Sequence, residues 1–274
     1  FEDGESLVVI SGSLQGEKSS SSINLHDYLS IRSNVQGLSE FGAYRNESVI
    51  VSTRDGARRY PAILAEANIF KLTRTQPILG RSFTPAENQK GAESVVVIGY
   101  DLWQNHFAGD KDVIKQSLKV NGTSHQIIGV MPQGYLFPNI AKMWLPLRED
   151  ANQLIRGDSG RIRGLAHLDK GSSMADINNQ LSLVMQKLAV KYPLTNSNIG
   201  AYVTSIPGSG AREGLAVVYS MQAVALFILI LASINVGNLL LSRAIERSKE
   251  TAIRVALGAP RLRLISQMLW ESTI

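Results

Sequence analysis

Four histidines, His26, His106, His125 and His167, are the side chains best suited to move a proton or hold a metal near neutral pH. Metal chemistry needs such residues at short, repeated spacings such as H-E-x-x-H, and these four are scattered. The chain has no cysteine, which excludes a disulfide framework and any Cys-based metal or redox site. Gly12 to Ser19 reads GSLQGEKS and invites comparison with a phosphate-binding loop. That loop needs adjacent Gly and Lys; here Glu17 stands between Gly16 and Lys18, and its carboxylate would repel a phosphate. No G-x-S-x-G occurs. Asn46-Glu47-Ser48 and Asn121-Gly122-Thr123 fit the glycosylation pattern, but sequons this short are common by chance. The sequence therefore offers no catalytic residues, no metal ligands and no cofactor site, and reads as a protein that is not an enzyme.

The chain is instead organised around one apolar run. Val217 to Leu241, VVYSMQAVALFILILASINVGNLLL, carries no charge, and a bilayer core needs about 20 such residues in a helix. A buried core helix is the alternative, although core helices this long without a charge are uncommon. After the run come Arg243, Arg247, Lys249, Arg254, Arg261 and Arg263 against Glu246, Glu250 and Glu271; before it lie the opposed Arg212 and Glu213. The positive-inside rule places the C-terminal flank in the cytoplasm and residues 1 to about 212 outside it. The net charge of +5 then reads as membrane topology before nucleic-acid binding. No signal peptide is visible, so a preceding transmembrane helix is expected to deliver the outer domain.

The outer part alternates strands and helices. Leu7 to Ile10 reads as a strand and Gly12 to Ser22 as a Gly/Ser loop. Asn24 caps a helix with Leu25, Tyr28, Leu29 and Val35 on its apolar face. Val49 to Val51 and Ala62 to Leu64 are strands around Arg54-Asp55-Gly56. Val95 to Ile98 is a buried strand, and Tyr100 to Phe107 a short helix. Ser117 to Val120 and Ser124 to Met131 flank Asn121-Gly122, the pair favoured in type I′ hairpin turns. Trp144 to Leu147, Arg161 to His167 and Ala201 to Ile206 complete the strands. Ser173 caps a helix with Met174, Ile177, Leu181, Val184 and Leu188 in one stripe. The predicted fold class is α+β: two small α/β units with a β-rich insertion at about 80–150, then a transmembrane helix and a cytoplasmic helical stalk. Pro207 to Gly210 is the expected linker, dividing an outer domain at 1–210 from a membrane part at 211–274.

Within the apolar run, Ser233 and Gly237 form a small-xxx-small pair, and Asn235 and Asn238 are three apart. Such residues pack against sister transmembrane helices or line a polar path; either needs other helices. Arg243, Arg247, Glu250 and Arg254 step by four, three and four along one helical face, with Leu241, Ile245, Ser248, Ala252 and Val255 on another. Glu250 and Arg254 are a favourable i,i+4 pair. Gly258 fits a C-cap and Pro260 the first turn of a second amphipathic helix carrying Leu262, Ile265, Met268 and Leu269. A solvated charged face followed by an interfacial helix fits the same composition.

The tail NVGNLLLSRAIERSKETAIRVALGAPRLRLISQMLWES resembles the region after the second transmembrane helix in ABC permeases of the FtsX/MacB type. The matching positions are Asn235, Asn238 to Leu241, Arg243, Arg247, Glu250, Ala252 to Arg254, Ala256 to Ala259, Arg263-Leu264 and Glu271-Ser272. Ser248-Lys249 departs from the pattern. PILGRSF at Pro77 to Phe83 and LKVNGTSHQIIGVMPQGYLFP resemble the periplasmic core domain of the same family. The resemblance implies a permease subunit whose outer domain lies between its first and second transmembrane helices. A separate cytoplasmic ABC ATPase would bind nucleotide, and the stalk would couple its cycle to outer-domain movement for export or mechanotransmission. Arg243, Arg247, Glu250, Arg254 and Gly258 would face that ATPase. The implied partners are the ATPase, the remaining transmembrane helices, a second permease in a dimer, and a periplasmic partner or substrate. The alternative is a membrane-anchored signalling or scaffold protein without ATP coupling.

Overall fold

The structure, a computed structural model, describes residues 6–257 except 15–16, 54–55 and 158–159. It divides into two compact units, Phe1–Gly210 and Ala211–Ile274. In the first unit, β1 (Leu7–Leu14), β2 (Glu17–Ser21) and β3 (Ile23–Asn24) lead into α1 (Leu25–Asn34) and the long β4 (Leu38–Thr53). Then follow β5 (Gly56–Ala65), α2 (Ile69–Leu72), β6 (Leu79–Gly80), β7 (Val95–Ile98), α3 (Tyr100–Phe107), β8 (Ser117–Val120), β9 (Thr123–Val130) and β10 (Met143–Pro146). The chain returns through β11 (Arg161–Leu168), α4 (Met174–Lys191), α5 (Pro193–Asn196) and β12 (Ile199–Ser205).

The two strand-helix-strand passages do not form separate units. They interleave as β12-β1-β11-β4, all antiparallel neighbours, with α1 and α4 together on one face. This is the split β-α-β arrangement, in which each half supplies a strand between or beside those of the other. Neither half could cover its apolar face alone, and interleaving gives them a shared core. The insertion joins the same sheet, because β4 is long enough to serve both parts. Leu38 to Tyr44 pair with β11, and Tyr44 to Thr53 pair with β5. Beyond β5 the sheet continues through β10, β7, β9 and β6.

Local sequence explains the helices. Asn24 accepts a bond from the His26 N–H, and Ser173 accepts one from the Asp176 N–H, each occupying a donor that the first helical turn leaves free. α4 buries Ile177, Leu181, Met185 and Leu188, each contributing roughly 1.5–3 kcal/mol. Met174 instead lies exposed and Val184 only partly buried, because Met185 sits nearer the centre of the buried stripe. α1 buries Leu25, Asp27, Tyr28 and Ile31, with Val35 buried just past its end, while Leu29 faces out. Gly164 lets β1 pack closely against β11, since a side chain there would start 3.1 Å from the Ile10 Cβ. The Asn121-Gly122 turn takes positive φ at both residues, as a type I′ hairpin requires.

Two further expectations are corrected. Gly12 to Ser22 is not a loop: Gly12 pairs with Ser21 and Leu14 with Glu17 in a β1–β2 hairpin. Pro207 to Gly210 does not break the chain, because α6 (Ile206–Ala256) begins before it, and proline is compatible with a first helical turn. Of the Arg54-Asp55-Gly56 turn, Arg54 and Asp55 lie outside the described residues. At the sheet edge, Asn178 of α4 accepts from the Val203 N–H at 2.9 Å and donates to the Val203 carbonyl at 3.4 Å. It occupies backbone groups that an unpaired edge would offer to another strand.

Candidate functional site

The second unit is built on α6, which runs for 51 residues. The candidate span within it, Val218–Ile253, contains an 18-residue apolar window with a mean hydropathy of 2.4, none of it buried. Its large apolar side chains between Val218 and Leu241 are 47% to 68% exposed. At 1.5 Å per residue the whole helix is roughly 75 Å long, while a hydrocarbon core is about 30 Å thick. A helix that crosses it must therefore project well beyond it.

The singled-out residues all lie on this helix where they are described. Ser233 and Gly237 are one turn apart, so they share a face; so do Asn235 and Asn238. The Ser233 hydroxyl donates to the Leu229 carbonyl at 2.8 Å, which satisfies it within the helix. No atom beyond the neighbouring backbone lies within 4 Å of where a Gly237 side chain would start. Arg243 and Arg247 are exposed, and the Thr251 hydroxyl donates to the Arg247 carbonyl at 2.7 Å. Glu250 and Arg254 fall inside α6, which keeps their backbones in helical register with the two arginines; their side chains lie outside the described set. Gly258, Pro260 and the expected second helix lie outside the described residues.

In the outer unit the four histidines are not brought together. Nε2 of His26 meets the Ala151 carbonyl at 2.9 Å. His167 is held by Ser6 Oγ at 3.1 Å and the Leu72 carbonyl at 3.2 Å. His125 lies 3.0 Å from the Thr123 carbonyl, and burial lowers its pKa. His106 rests edge-on against Phe107. Among the described residues, no group of three or more His, Asp or Glu is placed to hold a metal ion.

One ionic cluster was not legible as such. Asp27 is buried, pairs with Arg156 and accepts from the Asn196 amide at 2.9 Å. Arg156 also lies 3.9 Å above the Tyr192 ring. Burial pushes the Asp27 carboxyl up, opposed by the Arg156 guanidinium and Asn196. The cluster ties α1 to the loop before β11 and to α5, so its role is to fasten the fold. The available signal was the i,i+4 relation of Asp27 to Ile31, which puts it on the buried stripe.

A mixed α/β domain followed by an exposed apolar helix long enough to cross a membrane defines the class of membrane-anchored outer domains. The comparisons give the family. The MacB-like periplasmic core domain model matches residues 1–183, and this chain belongs to that family. A probable syringafactin export ATP-binding/permease protein of Pseudomonas syringae is 23% identical over 258 residues, covering 90% of this chain and 35% of that protein. A macrolide export ATP-binding/permease protein of Bdellovibrio bacteriovorus is 26% identical over 210 residues, covering 72% and 31%. The chain thus spans about a third of the length of these curated relatives. The crystal structure of the periplasmic region of MacB from Actinobacillus actinomycetemcomitans superposes with a TM-score of 0.54 at 12% identity, covering 78% of this chain and 94% of that one. At that identity the likeness establishes the fold alone.

Proposed function

We propose that this chain is the outer domain and adjoining membrane segment of a permease in an ABC-type system of the bacterial inner membrane. Residues 1–210 are its extracytoplasmic domain and 211–274 part of its membrane domain. ATP hydrolysis by a separate cytoplasmic ATPase drives movement of the outer domain, for export or mechanotransmission. The observation that carries this reading is the unbroken α6. One helix holds the apolar window and, within the same register, the charged positions Arg243, Arg247, Glu250 and Arg254. A stiff element of this kind can transmit displacement between compartments. The pairing of Val8 with Ser205 adds support, because the chain enters and leaves the outer domain on neighbouring strands. Ser233, Asn235, Gly237 and Asn238 then pack against sister helices, and a second permease completes a dimer.

The decisive measurement is partner-ATPase stimulation in reconstituted membranes. Glu250→Arg places like charges four residues apart, which costs the helix only about 0.2–0.5 kcal/mol. Expression and insertion should persist while stimulation falls severely; normal stimulation would show that this face is merely solvated. Topology is checked by cysteine substitution at Ser20 and Ser248 in a chain without other thiols. Impermeant reagent applied to intact cells should label the first, once it has access to the periplasm, and spare the second.

A further inference from the structure

A cavity of about 590 Å³ opens in the outer domain where two parallel strands end. β5 and β10 run side by side to Ala65 and Pro146, and the chain then leaves them separately, toward α2 and toward β11. In sheets with parallel strands, ligand crevices form outside such carboxyl ends. α1 contributes Leu25 and Leu29 to the walls, and the turn at Pro85–Asn88 contributes another side. Hydrogen bonds fix these walls. The Asn88 amide donates to the Ala65 carbonyl at 3.0 Å and to the Leu147 carbonyl at 2.8 Å, so it bridges the two strand ends. The volume lies in the range of small-ligand sites.

The lining carries both signs of charge and an apolar patch. Glu66 is anchored through one oxygen. Its Oε2 accepts from the Tyr28 hydroxyl at 3.2 Å and from the Ala43 N–H at 2.9 Å, while Oε1 lies 3.6 Å from the Arg32 guanidinium. Asp150 accepts from the Asn152 N–H at 2.9 Å. Arg148 donates from Nε to the Glu87 carbonyl at 2.9 Å and from Nη2 to the Glu93 carbonyl, and Lys90 donates to the Gln153 side-chain carbonyl at 2.5 Å. Those acceptors are neutral, so they orient the two cations and leave their charge in place. Glu149, also on the lining, is answered by Arg45. Leu29 is 41% exposed, whereas the other apolar side chains of α1 are buried, and it shares the lining with Leu25, Ala67 and Leu147. A ligand of one charge sign would meet its like on this lining. One that carries an ammonium and a carboxylate on an apolar body answers all three features.

We propose that this cavity binds a free α-amino acid with an aliphatic side chain. Glu66 and Asp150 receive the ammonium, Arg148 and Lys90 the carboxylate, and Leu25 and Leu29 the side chain. Charge-assisted hydrogen bonds recognise both ends. The proposal stands apart from the permease reading, since binding by the outer domain needs no ATPase.

The test is calorimetric titration of the full chain in maltoside detergent with leucine, and separately with leucinamide, N-acetylleucine and glycine, each of which lacks one of the three features. Leucine should bind saturably and each of the others about tenfold more weakly or worse, as loss of one charge-assisted or apolar contact gives. Glu66→Gln keeps an oxygen for the Ala43 N–H and loses the charge, and should weaken leucine by about tenfold. Leu29→Ala, at an exposed position, should weaken leucine while the unfolding midpoint is retained. Leu183→Ala, which truncates an exposed side chain of α4 outside the cavity, should leave leucine binding unchanged. Absence of saturable leucine binding overturns the proposal. So does an analogue that binds as well as leucine, full leucine binding in Leu29→Ala, or an equal loss in Leu183→Ala.

Discussion

The outer domain and α6 use the same residue types to opposite ends. In the outer domain Val, Ile, Leu and aromatic side chains turn inward: Val8, Ile31, Phe70, Val96, Ile98 and Trp144 are all completely or almost completely buried. In α6 the same kinds of residue face outward around the whole helix, from Val224 to Leu241. The first region answers its hydrophobicity within its own fold; the second depends on surroundings that the described residues do not supply. Hydropathy alone therefore does not distinguish core from membrane. What does is the presence or absence of a partner surface, and along the α6 window there is none among the described residues.

That contrast breaks most visibly at the core. Trp144 is fully buried against Phe70 and Tyr135, with its indole N–H donating to the Phe137 carbonyl at 3.1 Å. Trp144→Ala should destabilise the outer domain by about 3–5 kcal/mol. Denaturant unfolding of the full chain in detergent should show an earlier loss of near-ultraviolet dichroism while α6 keeps its helical signal. If both signals moved together, the two regions would not be separate in stability.

The complementary change is Ile230→Arg at the middle of the apolar window, which should cost about 2.5–3.5 kcal/mol of membrane insertion. It is read as a smaller carbonate-resistant fraction, with the outer-domain unfolding midpoint unaltered. Retained insertion would indicate that this face of α6 meets water or protein rather than lipid. A smaller effect belongs to Ser173→Ala, which removes the α4 cap and should lower outer-domain stability by about 1 kcal/mol.

The smallest concerns acid. Burial disfavours the charge of Glu87, but bonds from Arg81 and Thr84 outweigh it and hold the carboxyl below its ordinary 4.5. A depressed folded-state pKa makes this contribution present above pH 4.5 and lost as pH falls through the folded value. Glu87→Gln should therefore flatten stability against pH on the acid side in the outer domain, leaving α6 insertion insensitive. An unchanged acid limb would show that the Arg81 contact is solvated away.

Much of the local structure was legible from sequence because its causes are local. The Tyr100 to Phe107 helix and the Asn121-Gly122 hairpin follow from cap and turn chemistry within a few residues. The interleaving of the two strand-helix-strand passages was not, because the pairing of Ile10 with Gly164 and Val203 joins distant parts of the chain. Gly12 to Ser22 read as a loop for the same reason: its composition is turn-like, yet β12 and β1 hold it as strand. Along α6 the apolar run and the stepping charges were plain from spacing. The helix start at Ile206 was not, since Pro and Gly usually mark a break.

The placement of Val8 opposite Ser205 has a mechanical side. Hydrogen bonds in an antiparallel ladder run across the strands, so the direction of a load decides how many must yield together. A load that draws Leu7 and Ser205 apart sideways meets the β1–β12 ladder one rung at a time, beginning at Val8 and ending at Leu14. That is unzipping, the weak direction of a sheet. A load that displaces both strands together leaves every rung unstressed and carries the domain as one body. The domain is thus stiff to a common push and compliant to a differential pull, and the register of one strand pair sets which of the two it resists.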